Sequence, residues 1–223
     1  DIGKENSKYG SIVTSDLGAD RMDYLKRDAI NTGVAYGVID IDRIVHTLTI
    51  ERGELCIEQG GLEAAEYMLF ARFIMFSTVY MHHTVRIATA MLYRAIEGAI
   101  EDKTVEPQEF AEKGDDEIFM LLKKSKNGKR YAEALESRKL YKQVASFSRE
   151  EWSEKSKKRE KEYTNDRFIV DYPHQFFKPL SVKVKTADGK LKPIAELSQL
   201  LSGLKKSEEE RMKVLILGAK SDS

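Results

Sequence analysis

Residues 15–28 read SDLGADRMDYLKRD, and on a helix they line up four polar side chains along one side. At about 100° per residue, Tyr24 lies about 40° and Asp28 about 80° around the helix axis from Asp20. Arg21 lies about 100° from Asp20, so two carboxylates, a guanidinium and a phenol share one sector. These groups suit a metal ion and a phosphorylated sugar. The same pattern also fits a charged amphipathic helix with a solvated face.

The neighbouring side of this helix is apolar. Its apolar residues are Met22, Leu25 and Ala29. A helix with such a stripe buries it against a core, so we expect the polar sector at the wall of a cleft. The helical pattern covers 19–32, with Asp16 or Ser15 as the expected N-cap and Gly33 as the terminator.

A second line of polar side chains is predicted in a long helix from Leu62 to about Glu101, with a bend near His82 and His83. One sector of this helix holds two arginines and a phenol, with an aromatic ring among them. Its members are Arg72, Phe76, Val79, Tyr80, His83 and Arg86. Either these groups face a ligand, or this is a core helix whose Arg and Tyr tips reach the surface.

The remaining elements are short. Residues 48–58 alternate apolar and polar side chains around a glycine, which is typical of a β-hairpin. Further helices are predicted over 40–47, 115–124, 129–136, 149–163 and 195–204. Further strands are predicted over 139–145, 167–172, 180–186, 191–194 and 212–217, with a turn at 187–190.

The composition argues against some classes of partner. Lys plus Arg and Asp plus Glu both number 37, so no overall field attracts nucleic acid, and nucleic-acid binding is not expected. No apolar run approaches the ~18 residues needed to cross a bilayer, so no membrane association is expected. Cys56 is the only cysteine. It cannot form an internal disulfide, which fits a reducing compartment and predicts a cytoplasmic location.

Several stretches resemble one known family. Residues 15–28, followed by TGVAYG at 32–37, are similar to the distal metal-ligand segment of HD-domain phosphohydrolases. The resemblance is strongest to the branch that contains the deoxynucleoside triphosphate triphosphohydrolases. Three further stretches resemble the same branch, in the family's order: 72–82, 137–142 and 193–198.

The fold and assembly follow from the resemblance together with the predicted elements. We expect a mainly α protein, with part of an HD-type helical core over 1–104 and an α+β C-terminal lobe over 105–223. Related enzymes form dimers or tetramers, and the long helix carries apolar residues on more than one side. A homo-oligomer is therefore expected.

The resemblance also implies residue roles. Asp20 is expected to be a catalytic residue and a ligand of a divalent metal, which could be Mn, Mg, Fe, Ni or Zn. The substrate contacts that the resemblance implies are Arg21 and Arg72 for phosphate oxygens, and Tyr24, Asp28 and Tyr80 for the sugar. Asp28 would accept a hydrogen bond from the 3′-hydroxyl, while Tyr24 or Tyr80 crowds the 2′ position and selects deoxyribose.

The family's other metal ligands are an upstream His and a His-Asp doublet. The histidines of this chain are His46, His82, His83 and His174, and all follow Asp20. Residues 1–4 are similar to the tail of such a doublet, although an interhelical linker is favoured. We therefore expect the C-terminal portion of a longer enzyme, inactive on its own.

The expected activity of the intact protein is hydrolysis of deoxynucleoside triphosphates to deoxynucleoside and triphosphate. One alternative is a non-catalytic nucleotide-binding or regulatory module built on a degenerate HD domain. Another is a phosphohydrolase for other nucleotides or phosphomonoesters.

Overall fold

The computed structural model describes residues 10–154, 162–163, 167–173 and 182–219. The α-helices are α1 (Gly10–Thr14), α2 (Ala19–Thr32), α3 (Ile41–Thr47), α4 (Leu62–Met75), α5 (His83–Glu101), α6 (Glu109–Glu112), α7 (Asp115–Lys124), α8 (Lys129–Glu136), α9 (Arg149–Glu154), α10 (Ile194–Leu197) and α11 (Gln199–Arg211). A π-helix covers Phe76–Tyr80, and short 3₁₀ turns cover Ala35–Gly37 and Gln59–Gly61. The strands are β1 (Leu48–Glu51), β2 (Glu54–Glu58), β3 (Lys142–Phe147), β4 (Phe168–Asp171), β5 (Lys183–Lys185), β6 (Leu191–Pro193) and β7 (Val214–Gly218).

The predicted fold class is confirmed, because helices dominate and the strands form two small sheets. Most of the predicted elements are present. Residues 1–4 and His174 lie outside the described residues, as do parts of the helix predicted over 149–163 and of the strand predicted over 180–186. Within the described ranges, no helix is both long and apolar enough to cross a membrane.

Helix α2 packs as its sequence predicts. Met22, Leu25 and Ala29 are buried. The helix ends at Gly33, which has a left-handed φ of 71° and whose N–H donates to the carbonyls of Ala29 and Ile30. This αL position favours glycine, because a side chain there would be strained.

The expected N-cap of α2 is wrong. The capping position is Gly18, and no side chain caps the helix there. The chain passes so close to α1 that a Cβ at residue 18 would collide with the carbonyl oxygen of Val13. A glycine is therefore needed at this turn, and Asp16 is left to make a different contact.

One compact unit comprises residues 1–81 and 175–211. Its sheet has the order β1-β2-β5-β6, in which the predicted hairpin β1–β2 is antiparallel and β2 pairs with β5 in parallel. Helices α2 and α11 both pack against α4. The largest fully buried side chains of this unit include Leu25, Ile44, Leu69, Phe73 and Leu201.

A second compact unit comprises residues 82–174 and 212–223. Its antiparallel sheet has the order β3-β7-β4, and every residue of the central strand β7 is buried. Helix α5 packs against α7, α8 and β4. Burial on both faces explains the continuous apolar run of β7.

The domain boundary predicted between residues 104 and 105 stays a prediction. The contacts among the described residues group the chain differently. Helix α5 belongs with α8 and β4, whereas β5 pairs with β2. Both compact units are therefore built from two separate segments of the chain.

Candidate functional site

The two predicted polar sectors meet in the first unit, where α2 packs against α4. The hydroxyl of Tyr80 donates a hydrogen bond of 2.6 Å to Asp28 Oδ2, across 52 residues of sequence. The ring of Tyr24 lies edge-on to that of Tyr80, with 6.3 Å between the ring centroids. Tyr24, Asp28 and Tyr80, the three residues predicted to contact the sugar, are therefore neighbours.

The electrostatics of this cluster keep Tyr80 neutral. Burial, and after it the hydrogen bond to the Asp28 carboxylate, raises the pKa of the Tyr80 phenol. Both effects disfavour a phenolate, which would be partly desolvated and would lie beside another anion. Tyr80 thus stays a hydrogen-bond donor across the physiological pH range, and its bond to Asp28 holds the carboxylate in one orientation.

Arg72 lies at the other end of the same surface. Its Nη1 donates to Asp16 Oδ1 at 3.1 Å, and the two side chains are only 11% and 12% exposed. The guanidinium lies over the ring of Phe76, 5.6 Å from the centroid. Phe76 in turn contacts Tyr80 edge-on, with 4.9 Å between centroids. Phe76 therefore connects the arginine with the tyrosine–carboxylate cluster.

Asp16 is the residue of this site that the sequence reasoning missed. It was interpreted only as a helix cap, and its contact with Arg72 spans 56 residues. An acidic residue one helical turn before Asp20 was the available signal. Its partner could not be identified without the packing of α4.

Arg21 is held mainly by the main chain. Its Nη1 donates to the carbonyl oxygen of Thr14 at 2.5 Å and also to that of Ser15. Its Nη2 lies 3.9 Å from Asp16 Oδ1. These bonds fix the turn between α1 and α2, so a phosphate bound by Arg21 would have to share the guanidinium with that turn.

Asp20 is exposed in the first turn of α2. Its Oδ1 accepts a hydrogen bond of 2.7 Å from the backbone N–H of Arg21. One exposed carboxylate can supply an oxygen ligand but cannot complete a metal site. Among the described residues, no group of three or more His, Cys, Asp or Glu side chains could hold an ion. The residues described here therefore do not form a metal site by themselves.

The long helix predicted from Leu62 to about Glu101 is interrupted near His82 and His83, where the sequence predicts a bend. Helix α4 gives way to the π-helix at Phe76, and α5 starts at His83. His82 is its N-cap, and its Nδ1 accepts a hydrogen bond from the N–H of Thr84 at 3.3 Å. Tyr80, which donates to Asp28, is the last residue of the π-helix, and such segments are frequent at functional sites.

The sector predicted to run from Arg72 to Arg86 does not continue as one helical face. Arg86 belongs to α5, where its Nε donates to Asp171 Oδ2 at 2.7 Å. Its Nη2 donates to the carbonyl of Lys213 at 3.0 Å. Arg86 therefore holds the second unit together, joining α5 to β4 and to the residue before β7.

Comparison with known proteins relates the chain to one family. A family model described as "HD associated region" matches residues 39–221. An uncharacterized protein of Methanocaldococcus jannaschii is 34% identical over 231 residues, which cover 95% of this chain and 51% of that protein. This chain thus spans about half the length of that relative.

Two solved structures have a similar fold. A hypothetical protein from Aquifex aeolicus is 27% identical with a TM-score of 0.76, and the match covers 98% of this chain and 59% of that one. A phosphohydrolase from Bacteroides thetaiotaomicron is 24% identical with a TM-score of 0.69, and the match covers 98% of this chain and 66% of that one. At this identity, the second likeness concerns the fold alone.

Proposed function

Since the chain belongs to the HD-associated region family, we propose that it is part of an HD-superfamily phosphohydrolase that hydrolyses deoxynucleoside triphosphates to deoxynucleoside and triphosphate. The fold that it shares with a phosphohydrolase structure supports the reaction class. The pairing of Tyr80 with Asp28 next to Tyr24 supports the substrate class.

The pairing of Tyr80 with Asp28 carries the proposal, because it provides a hydrogen-bond acceptor for a sugar hydroxyl and aromatic rings beside that acceptor. The Asp28 carboxylate accepts the Tyr80 hydroxyl with one oxygen. Its other oxygen, Oδ1, lies 3.4 Å from Arg27 Nη1. A carboxylate oxygen has two acceptor sites, so Oδ1 can still accept the 3′-hydroxyl of a sugar. In this proposal the two tyrosine rings beside it crowd the 2′ position, so contact and exclusion together favour deoxyribose.

Arg72 supplies the phosphate contact in this proposal. Its planar guanidinium can hold two phosphate oxygens at once. It is connected through Phe76 to Tyr80, so one surface offers a cationic end and a sugar-binding end.

Asp20 supplies one oxygen ligand to a divalent metal whose remaining ligands lie outside the described residues. HD-superfamily phosphohydrolases generally use such a metal, which polarises phosphate oxygens when bound. The exposure of Asp20 leaves its second carboxylate oxygen accessible.

The test uses the full-length protein with Mn²⁺, Mg²⁺, Fe²⁺, Ni²⁺ or Zn²⁺ and a panel of deoxynucleoside and ribonucleoside triphosphates. Chromatography should detect deoxynucleoside and intact triphosphate as products. Ribonucleotides should react roughly 5- to 150-fold more slowly, since excluding one hydroxyl by contact is worth roughly 1–3 kcal/mol. Release of monophosphate from simple phosphomonoesters alone would contradict the substrate class. Binding without turnover would instead favour a regulatory module.

Asp28→Ala in the full-length protein should lower kcat/KM for deoxynucleoside triphosphates by ~1–3 kcal/mol of transition-state stabilisation, because a buried hydrogen bond to the sugar is lost. Asp23→Ala is the matched control. Asp23 lies on the same helix, is exposed and pairs with Arg27 at 3.0 Å. Arg27 Nη1 also lies 3.4 Å from Asp28 Oδ1, so this control also shows whether releasing Arg27 alone changes the kinetics. Equal kcat/KM values for the two variants would contradict the assignment of Asp28 to the sugar site.

A further inference from the structure

Arg72 is a nearly buried cation with one edge occupied. Its side chain is 11% exposed, and Asp16 accepts the hydrogen bond of its Nη1. Within the described part of the chain, its Nε is buried and has no hydrogen-bond partner. A buried donor without a partner is unfavourable, so the guanidinium has hydrogen-bonding capacity that the described residues do not use.

Asp16 itself lies in a turn that is held from several sides. Arg21 donates to the carbonyls of the two residues before Asp16. Two residues after Asp16, Gly18 allows the close approach to α1. The carboxylate therefore has a defined position without being part of a helix or strand.

We propose that Asp16 is a positioning residue for Arg72: its carboxylate fixes the guanidinium so that its remaining N–H donors are held in one orientation for binding the phosphates of the substrate. This inference rests on the proposed function, because it assumes that Arg72 binds phosphate. It assigns a role to a residue outside the predicted ligand set, and it gives Arg21 the role of fixing the turn that carries Asp16.

The physical reason is orientation. An arginine side chain has several rotatable bonds, and holding it in one conformer before the ligand arrives lowers the cost of binding. The hydrogen bond to Asp16 occupies one of the five N–H donors of the Arg72 guanidinium. The ring of Phe76 limits the guanidinium on one face. Because Asp16 and the ring of Phe76 both restrict the Arg72 guanidinium, its remaining N–H donors keep one orientation.

Asp16 also has an opposing effect, because its negative charge lies close to the phosphate that Arg72 would bind. Positioning and charge can be separated by substitution. Asp16→Asn keeps an oxygen acceptor but removes the charge, whereas Asp16→Ala removes both. Positioning predicts that Asn retains or improves phosphate binding and that Ala weakens it.

The experiment measures the binding of inorganic tripolyphosphate to the full-length protein by titration calorimetry at a fixed Mg²⁺ concentration. We expect Asp16→Ala to raise the Kd about tenfold, the usual effect of losing a hydrogen bond to a charged group. Asp16→Asn should bind at least as tightly as wild type. The double variant Asp16→Ala/Arg72→Ala should bind no more weakly than Arg72→Ala alone, since Asp16 acts through Arg72.

Asp23→Ala and thermal unfolding of every variant serve as controls. If Asp16→Ala merely disturbs the fold, its loss will add to that of Arg72→Ala, and this result overturns the inference. Wild-type affinity in Asp16→Ala, or equal weakness of the Asn and Ala variants, overturns it too while leaving the proposed function intact. No loss in Arg72→Ala overturns the inference and the phosphate contact assigned to Arg72, whereas the proposed hydrolysis is decided separately by the product assay.

Discussion

Asp20→Ala is expected to abolish hydrolysis by the full-length protein, with kcat/KM lowered by more than about 100-fold. Groups that only support a metal ligand typically cost 10–100-fold when removed, so a direct ligand should cost more. The variant should also lose bound metal, as measured by elemental analysis. Asp20 is exposed and, within the described residues, its side chain accepts a hydrogen bond only from the adjacent backbone N–H. The substitution should therefore leave the fold intact.

Asp23→Ala again provides the control. This substitution removes a carboxylate from the same helix, three residues from Asp20. It also removes an exposed ion pair with Arg27, which contributes little to stability. Its activity and metal content should match wild type. Full activity with normal metal content in Asp20→Ala would refute the assignment of Asp20, and equal losses in both variants would point to the charge of the helix start instead.

Arg72→Ala should have the second largest effect, and one that depends on the substrate. We expect kcat/KM for deoxynucleoside triphosphates to fall about 10–100-fold, because charge-assisted bonds to phosphate oxygens are lost. Deoxynucleoside monophosphates, tested as alternative substrates or competitive inhibitors, offer fewer charged oxygens. The penalty with them should be much smaller, and the ratio of the two penalties is the measured quantity.

Arg72→Lys separates charge from shape. Lysine keeps the positive charge but lacks the planar guanidinium, which binds Asp16 and lies over Phe76. It should therefore restore only part of the loss. Equal penalties on tri- and monophosphates would mean that Arg72 does not read the phosphate chain. Unfolding curves are needed beside the kinetics, since Arg72→Ala leaves Asp16 nearly buried beside a missing partner.

The local sequence was sufficient to predict α2, because its apolar residues recur at helical spacing and Gly33 supplies the terminator. The β1–β2 hairpin and the break before α5 were also predictable, since both depend on residues close in sequence. The cap at Gly18 was not, because it depends on a close approach to the main chain of α1.

The partners of the site side chains were decided by tertiary packing. Spacing could align Asp28 with Asp20 on one helix, but only the packing of α2 on α4 brings Asp28 to Tyr80. The same packing places Asp16 beside Arg72, and the π-helix over Phe76–Tyr80 has no signal in the local pattern.

Tertiary packing also decided which strands pair with each other. The turn at 187–190 identifies β5 and β6 as neighbours, but the parallel pairing of β5 with β2 joins segments more than a hundred residues apart. Helical and strand periodicity reflect how each segment divides its own side chains between core and solvent. Which segments share a core depends on complementary surfaces that meet only when the chain is folded, so the site's residue types follow from sequence and its contacts from tertiary structure.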